Sequence, residues 1–372
     1  MESEQIYRLA LARIPGIGPV YAKRLIAHFG EASAIFRTSP RKLEQVQGLG
    51  SGRAKLINEY NDFTLLEKEI IFLEQHQIRC LFLTDPDYPQ RLLQCKNAPI
   101  LLFYKGQADL NASRIISVIG TRKPTEYGQQ AVDNLLAGLS PYRPIIISGL
   151  AFGIDAAAHR SALKNKLPTI GVLAHGLDRI YPTQHRNLAV SMLEQGGVLT
   201  GFPIDTEPDT FNFPLRNRII AGICDALVVA ETGETGGSML TIANALENHT
   251  KIFAIPGRLT DKKSTGCNQL IRNGQAQLLT DANQLAEHLQ WQPSAAAPSV
   301  RQRDLFSTDD DQLLSPQLAS VYRCVQQAGK LSLDQLSVQS HLSASDLALP
   351  LLQLELQGLI RSLPGHQYML AS

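Results

Sequence analysis

The sequence is most informative at Val118–Arg122, which reads VIGTR. The apolar residues from Ile115 to Ile119 predict a buried strand, and the glycine that follows predicts its end. An arginine is thereby placed directly after a strand. Because small residues at a strand end let a ligand approach the backbone closely, the segment predicts an anion-binding site at the edge of a sheet.

The same pattern recurs through the central part of the chain. Further apolar segments read as strands, and each ends near a Gly, Ser, His or Pro residue before a stretch with helical spacing. These segments are Ile145–Ser148, Thr169–Leu173, Ala226–Ala230 and Lys251–Ile255. Alternating strands and helices predict an α/β fold with a parallel sheet. Ligands of such open sheets bind at the carboxyl ends of the strands, so we expect the site there.

The first 70 residues predict helices joined by two glycine hairpins, IPGIG at 14–18 and VQGLG at 46–50. This segment resembles a SAM-like or tandem helix-hairpin-helix module. Backbone N–H groups at such hairpins can hold a phosphate oxygen. Alternatively, the glycines only make tight turns between helices, and the sequence leaves both interpretations open.

The C-terminal part predicts a linker and a small domain. Residues 291–312 are rich in Pro, Ala and Ser and predict a flexible linker. Residues 313–372 predict three helices and two short strands, the winged-helix pattern, with a capping box at Ser343 and Asp346 and a helix end at Gly358. The third helix, at about 343–357, has no Lys or Arg. We therefore expect it to contact protein, or to regulate a dimer, rather than read duplex DNA.

Composition excludes several classes of protein. The chain has 372 residues, with 35 basic and 34 acidic side chains, so any nucleic acid must bind at a focused site rather than through a global field. No apolar stretch is long enough to span a membrane, and the N-terminus has no secretory signal pattern. The five cysteines have no C-x-x-C spacing, which favours a reducing cytoplasm and argues against a zinc site.

The segment 211–218, FNFPLRNR, combines aromatic and basic residues. Pro214 predicts a helix start, which places Arg216 and Arg218 in the first turn. Cations are disfavoured at a helix N-terminus, so paired arginines there suggest a bound anion. Guanidinium groups suit phosphate oxygens, and a neighbouring Phe can stack on a base. The alternative is a surface helix with internal salt bridges.

Two further motifs bear on chemistry. The segment 235–241, TGGSMLT, predicts a glycine-rich helix opening that can cradle an oxyanion, but it lacks the Gly-Lys-Ser/Thr of a P-loop ATPase.

Asp155 and His159 share a helix face, and we expect a first-turn acid with His159 as its partner rather than a metal site. No Ser-His-Asp, Cys-His or paired-carboxylate arrangement stands out. The sequence favours binding over catalysis and predicts no cofactor and no metal.

Taken together, these residues resemble the DNA-processing protein A family, also called DprA or Smf. The resemblance rests on segments in the family's order and spacing: Val118–Arg122, Tyr127-Gly128, Ser148–His159, Gly176–Asp178 with Tyr181-Pro182, Phe213–Ile220, Gly237-Ser238 and Pro256-Gly257. It implies a Rossmann-like core at 71–290, an N-terminal SAM-like domain at 1–70 and a winged helix at 313–372. Gly201 and Gly236 depart from the family's usual Glu and Ser, which puts any acid-dependent role in doubt.

The resemblance also implies a function. Members bind single-stranded DNA in natural transformation, protect the incoming strand, help to load the RecA recombinase, and generally act as dimers without known catalysis. The DNA-binding residues it implies are Gly120, Thr121, Arg122, Ser148, Gly149, Phe213, Arg216, Asn217, Arg218, Gly237 and Ser238. The alternative is a nucleoside-monophosphate hydrolase or sensor of a related Rossmann-like family. That family's Pro-Gly-Gly-x-Gly-Thr-x-x-Glu run is matched only in part, by residues 235–241.

Overall fold

The structure, a computed structural model, describes residues 4–294, 316–340, 342–356, 359–363 and 367–370. The chain divides into two compact units, residues 1–294 and 295–372. Within the described residues, no helix has both the length and the hydropathy needed to cross a membrane.

The first unit begins with a helical region. Its helices are α1 (Glu4–Arg13), α2 (Pro19–Phe29), α3 (Ala32–Phe36), α4 (Pro40–Leu43), α5 (Gly50–Asn58) and α6 (Phe63–Gln75). Helix α2 starts directly after the first glycine hairpin, and α5 starts at Gly50, the last residue of the second. Arg53 Nε donates to Gly16 O at 2.9 Å, and Arg24 Nη1 donates to Gln47 O at 2.8 Å. The hairpins are thus tied to each other's helices, and phosphate binding by them stays a prediction.

A nine-stranded sheet forms the centre of this unit. Its strands are β1 (Arg79–Phe82), β2 (Leu101–Gly106), β3 (Ile115–Gly120), β4 (Ile145–Gly149), β5 (Thr169–Leu173), β6 (Gly197–Thr200), β7 (Ala226–Glu231), β8 (Lys251–Ala254) and β9 (Gln277–Leu278). The spatial order is β1-β2-β6-β5-β4-β3-β7-β8-β9. All neighbours from β6 to β9 are parallel, whereas β2 pairs antiparallel with β6 and β1 with β2. The predicted α/β class is confirmed, and each predicted strand ends within one residue of the observed one.

Helices cover both faces of the sheet. They are α7 (Gln90–Leu93), α8 (Glu126–Leu139), α9 (Ile154–Lys164), α10 (Arg186–Met192), α11 (Asn212–Gly222), α12 (Ser238–Glu247), α13 (Thr265–Arg272) and α14 (Ala282–His288). Alternate residues of each strand enter different cores, since successive side chains of a strand point to opposite faces. On β4, Ile147 belongs to the same core cluster as Ile219 of α11, whereas Ile146 belongs to the cluster that contains Val132 of α8. Burial on both faces explains the continuous apolar runs.

The helical region shares a core with one edge of the sheet. Buried residues of α1 and α2, such as Leu9 and Leu25, belong to the same cluster as Phe82 of β1 and Phe103 of β2. Helix α6 continues to Gln75, so the boundary expected at residue 70 lies inside a helix. The helices thereby cover apolar surface that the edge strands present.

The course of the chain creates a crevice at the carboxyl ends of the strands. From β3 the chain moves through β4 and β5 to β6 on one side, and it then returns to β7 on the other side of β3. Connections leaving β3 and β7 therefore diverge, which makes a topological switch point where open α/β sheets bind ligands.

The second unit has its own small core. It contains α15 (Pro316–Ala328), β10 (Lys330–Ser332), α16 (Leu333–Ser340), α17 (Ala344–Leu356), β11 (Ile360–Leu363) and β12 (Gln367–Leu370), with sheet order β10-β12-β11. Ser343 Oγ accepts from the Asp346 amide at 3.2 Å, as the predicted capping box requires, whereas the Asp346 carboxylate accepts from the Ser343 hydroxyl at 2.6 Å rather than from its backbone amide. The winged-helix prediction is confirmed, although β10 was not expected. The predicted helix end at Gly358, and the linker beyond residue 294, lie outside the described residues.

Candidate functional site

A cleft of about 710 Å³ opens at the switch point, and most of the predicted site residues line it. The loop after β3 contributes one side, α11 the second, and the loop after β7 the third. The predicted residues that line it are Gly120, Thr121, Arg122, Phe213, Arg216, Asn217, Gly237 and Ser238. Segments far apart in sequence thus meet because their strands end at the same edge of the sheet.

Two arginines flank one aromatic ring in this cleft. The Cζ atom of Arg122 lies 5.3 Å from the centroid of the Phe213 ring, and that of Arg216 lies 5.9 Å from it. Both distances are in the range of cation–π interactions. Arg122 is exposed, whereas only 6% of Arg216 is accessible. The two guanidinium groups therefore have different surroundings.

Arg216 is held from inside the protein. Its Nη1 donates to Val172 O at 2.6 Å and its Nε to Asn217 Oδ1 at 3.0 Å. Asp155 lies beside it, since a Cβ atom placed on Gly149 would overlap both Arg216 Nη1 and Asp155 Oδ2. Only glycine fits at 149 without displacing this pair. Burial raises the pKa of Asp155, and the neighbouring Arg216 guanidinium opposes that rise.

The expected position of the arginines in α11 was wrong. The helix starts at Asn212 rather than Pro214, because Phe211 already has helical dihedrals, φ −71° and ψ −23°. Proline fits inside the first turn, where its missing N–H has no helical partner to lose. Both arginines consequently lie in the second turn. Arg218 is half-buried and does not line the cleft.

Two other predicted residues lie behind the cleft rather than in it. Ser148 is fully buried, and its Oγ donates to Val118 O at 2.6 Å, which joins β4 to β3. Gly149 is buried beneath Arg216. Neither lines the cavity, so their contribution is to its shape.

His159 does not partner Asp155, contrary to the expectation from their spacing. Its Nδ1 lies 2.7 Å from Thr169 Oγ1 and its Nε2 lies 3.3 Å from Gly149 O. The ring is fully buried against the strands, where those groups are within reach. Burial lowers the pKa of His159 to about 4, so the imidazole is neutral at physiological pH. Asp155 instead accepts from the Ala151 amide at 3.4 Å.

An aromatic recess of about 50 Å³ adjoins the cleft. Phe152 and Tyr181 line it together with Phe213, and both are about half-exposed. The Tyr181 and Phe213 ring centroids lie 6.4 Å apart. The buried His175 fixes this loop by accepting from the Tyr181 amide at 3.2 Å. Burial lowers the pKa of His175, which favours the neutral ring that this bond requires.

The rim loop that carries Arg122 is anchored to β7. Glu231, at the end of that strand, is 1% exposed. Its carboxylate accepts from Thr125, and its carbonyl oxygen accepts from the Thr121 amide at 2.7 Å. A Cβ atom on Gly128 would lie 2.8 Å from Glu231 Oε2. This close approach explains the glycine after Tyr127 in the sequence.

The cleft carries an excess of positive charge. Lys123 and Lys263 line it in addition to the two arginines, and Asp155 is the one carboxylate among its lining residues. Lys123 follows Arg122 directly, so the sequence could have indicated it. Lys263 comes from the loop after β8, and nothing in the sequence signalled it. Exposed cations, glycine amides and an aromatic ring together suit a phosphodiester chain with its bases.

The described residues offer little for metal chemistry. None of their His, Cys, Asp and Glu side chains form a group of three that could hold a metal ion. All five cysteines are unpaired thiols, and three of them are buried.

Three family models match the chain. The model described as DNA recombination-mediator protein A matches residues 79–290. The DprA winged helix domain matches residues 307–366, and the SAM-like helix-hairpin-helix tandem matches residues 9–59. Together they cover each of the structural regions described above.

Named relatives and solved structures agree with these matches. Protein Smf of Synechocystis sp. is 34% identical over an alignment of 398 positions that covers 98% of each chain. DNA processing protein DprA of Streptococcus pneumoniae is 40% identical over 203 residues, 55% of this chain and 72% of that protein. The X-ray structure of the S. pneumoniae protein superposes with a TM-score of 0.66 at 30% identity, over 77% of this chain and 98% of that one. DNA processing protein A of Helicobacter pylori, described with a unique single-stranded DNA binding mode, has a TM-score of 0.53 at 28% identity. The superposition covers 58% of this chain and 98% of that one.

Proposed function

Because the chain belongs to the DNA recombination-mediator protein A family, we propose that it binds single-stranded DNA without sequence preference and mediates recombination in natural transformation. In this role it protects the incoming strand and helps to load the RecA recombinase. It works in the cytoplasm as a homodimer. The named relatives support a role in recombination during natural transformation. The cleft supports single-stranded DNA as the ligand.

The observation that carries this proposal is the composition of the cleft. Arg122, Lys123 and Lys263 are exposed along its walls, and the Phe213 ring lies beside Arg122. Cations that neutralise phosphates supply the sequence-independent part of nucleic-acid affinity. Aromatic rings stack on any base, at about 1–3 kcal/mol per base. The combination suits a single strand, whose bases are free to leave the backbone.

The residues divide into ligands and positioning residues. Arg122 is the proposed phosphate ligand, because its guanidinium is exposed to the cleft. Arg216 is a proposed positioning residue, since its donors are directed at Val172 O and Asn217 and it lies beside Asp155. The aromatic recess at Phe152 and Tyr181 would receive a base.

A role in catalysis has little support. The cleft has one carboxylate, Asp155, and it is buried beside a guanidinium group. Hydrolysis of a nucleoside monophosphate requires an acid or a nucleophile that can reach the substrate. We therefore propose that the protein is not an enzyme.

The winged-helix unit has a different proposed partner. Its helix α17 has no Lys or Arg, and Leu349 and Leu352 are 63% and 54% exposed. Exposed leucines on a helix without cations favour contact with protein over contact with a DNA groove.

Fluorescence anisotropy with labelled single- and double-stranded oligonucleotides tests the function. We expect tighter binding of the single strand and a linear fall of log K with log salt concentration, with little dependence on base sequence. Equal affinity for both forms, or release of free base from a nucleoside monophosphate, would contradict the proposal.

A further inference from the structure

A second concave site begins at the carboxyl ends of β8 and β9 and extends along α8 from Tyr127 to Gly138. This amide groove has a volume of about 440 Å³ and runs between α8 and the segment 279–283. Its polar walls are formed by Tyr127, Gln130, Asn134, Thr280, Asp281 and Asn283, and its floor by Leu135, Ile255 and Leu279. It shares no lining residue with the cleft described above.

One face of α8 supplies the free polar groups. Tyr127, Gln130 and Asn134 are spaced by three and four residues, so they follow one another along the same side of the helix. The side chains of Gln130 and Asn134 are exposed and make no hydrogen bond to any other residue that the structure describes. Their amide donors and acceptors are therefore available to a ligand.

Tyr127 presents an aromatic ring at the start of this face. It is 50% exposed, and its hydroxyl donates to Pro256 O at 2.6 Å. The hydrogen bond holds the far end of the side chain, so the ring loses little further conformational entropy when a planar group stacks on it.

The charge of the groove distinguishes it from the cleft. No Lys or Arg is among its lining residues, and Asp281 is its one charged side chain. Backbone and side-chain hydrogen bonds, that from the Gln284 amide first, lower the pKa of Asp281, so it stays ionised. Phosphate groups are thus disfavoured. Primary amides instead match the donor and acceptor edges of nucleobases, and apolar floors match their ring faces.

The groove is also close to the proposed path of the strand. Tyr127 follows Lys123, which lines the cleft, by four residues, so their Cα atoms are at most about 14 Å apart. Single-strand binders built from OB folds cover about 4–16 nucleotides per fold, and we expect a footprint of similar length here. A strand bound in the cleft therefore extends far enough to reach the groove.

We propose that the amide groove is a second DNA subsite, which takes unstacked nucleobases while their phosphates remain outside. A base stacks on Tyr127, and Gln130 and Asn134 hydrogen-bond to base edges. This inference rests on the proposed function, since it requires a strand in the cleft. It adds a subsite that contributes affinity without neutralising charge.

A length series of labelled oligonucleotides tests the proposal on the full-length protein. The Gln130→Ala/Asn134→Ala double variant should bind long single strands about fivefold to tenfold more weakly than the wild type. It should bind strands short enough to fill only the cleft with unchanged affinity. Because no phosphate contact is lost, the salt dependence of long-strand binding should keep its slope.

The matched control is Gln129→Ala, which removes an exposed amide from α8 that does not line the groove. A second readout is Tyr127→Leu, which should abolish quenching of a fluorescent base analogue placed along the strand. Unchanged long-strand affinity in the double variant would overturn the subsite. An equal loss for short and long strands, or a flatter salt slope, would overturn it as well. Absence of any single-strand binding by the wild type would instead refute the proposed function.

Discussion

The carboxylate of Glu231 accepts hydrogen bonds from both the amide and the hydroxyl of Thr125, at 2.8 and 2.6 Å. Thr125 also caps α8, because its Oγ1 accepts from the Gly128 amide at 3.1 Å. One buried acid therefore fixes the end of the rim loop and the start of the helix that follows. Arg122 lies on that loop, so its position depends on a residue that the strand holds out of solvent.

We expect Glu231→Gln to loosen this loop. The amide nitrogen of glutamine cannot accept a hydrogen bond from Thr125, so one buried donor loses its partner, at a cost of about 1–3 kcal/mol. Urea unfolding should show that loss, and single-strand affinity should fall with it. The control is Glu234→Gln, an exposed position on the next loop. Equal stability of the two variants would contradict the anchoring role.

Arg122→Ala should change the salt dependence of DNA binding. Each phosphate contact contributes about 0.7 to the slope of log K against log salt for single strands. Loss of the exposed guanidinium should reduce the slope by about that amount. Arg218→Ala is the matched control, because Arg218 does not line the cleft and should leave the slope unchanged. If the two variants behaved alike in anisotropy titrations, Arg122 would not be a phosphate ligand.

Arg216→Ala should act mainly on stability. It removes the cation that neighbours buried Asp155 and leaves the buried Val172 O without its donor, so we expect a loss of about 1–3 kcal/mol. Asp155→Asn in the same chain should recover part of the loss, since no charge is then left unpaired. Urea unfolding of both single variants and the double variant measures the coupling. Strictly additive losses would show that the two side chains do not interact.

Part of this architecture could be predicted from the sequence because its physical cause is local. The strands β3, β4, β5, β7 and β8 are buried almost throughout, so each leaves a mostly apolar run with few polar residues. Parallel strands end at one edge, so small residues after them predicted where the cleft lies. The sequence could not predict that Arg122 is exposed whereas Arg216 is buried. This difference arises because the tertiary fold brings Asp155 and Val172 next to Arg216. Lys263 likewise reaches the cleft only through the order of the strands.

The winged-helix unit should not bind duplex DNA. Helix α17 offers no cation to phosphates, and its exposed surface includes Leu349 and Leu352. The unit has its own core around Val321, Leu336 and Leu354, so a 313–372 fragment is expected to fold. Anisotropy with a labelled duplex should show no binding that weakens steeply with salt. Steep, salt-dependent duplex binding by the fragment would refute the assignment to a protein partner.

Protonation of His159 should make stability depend on pH. Burial lowers its pKa from 6.5 to about 4 in the folded protein, whereas the unfolded chain keeps the ordinary value. Between these values the unfolded state binds more protons, so stability from this residue is fully present above pH 6.5 and declines as pH falls toward 4. The difference corresponds to about 3 kcal/mol. His175 titrates in the same direction, since burial lowers its pKa as well, so the wild type alone does not separate the two.

His159→Gln isolates the contribution of this residue. Glutamine cannot be protonated in this range, so the variant should lose stability at neutral pH but decline less steeply than the wild type between pH 6.5 and 4. Urea unfolding at half-unit pH steps gives both curves, and they should converge toward acid pH. Because His175, Asp155 and the other acids are common to both proteins, their titration cancels in the difference. Parallel curves across this range would mean that His159 binds its proton equally well in the folded and unfolded chains, and the buried ring could not then be the source of the pH dependence.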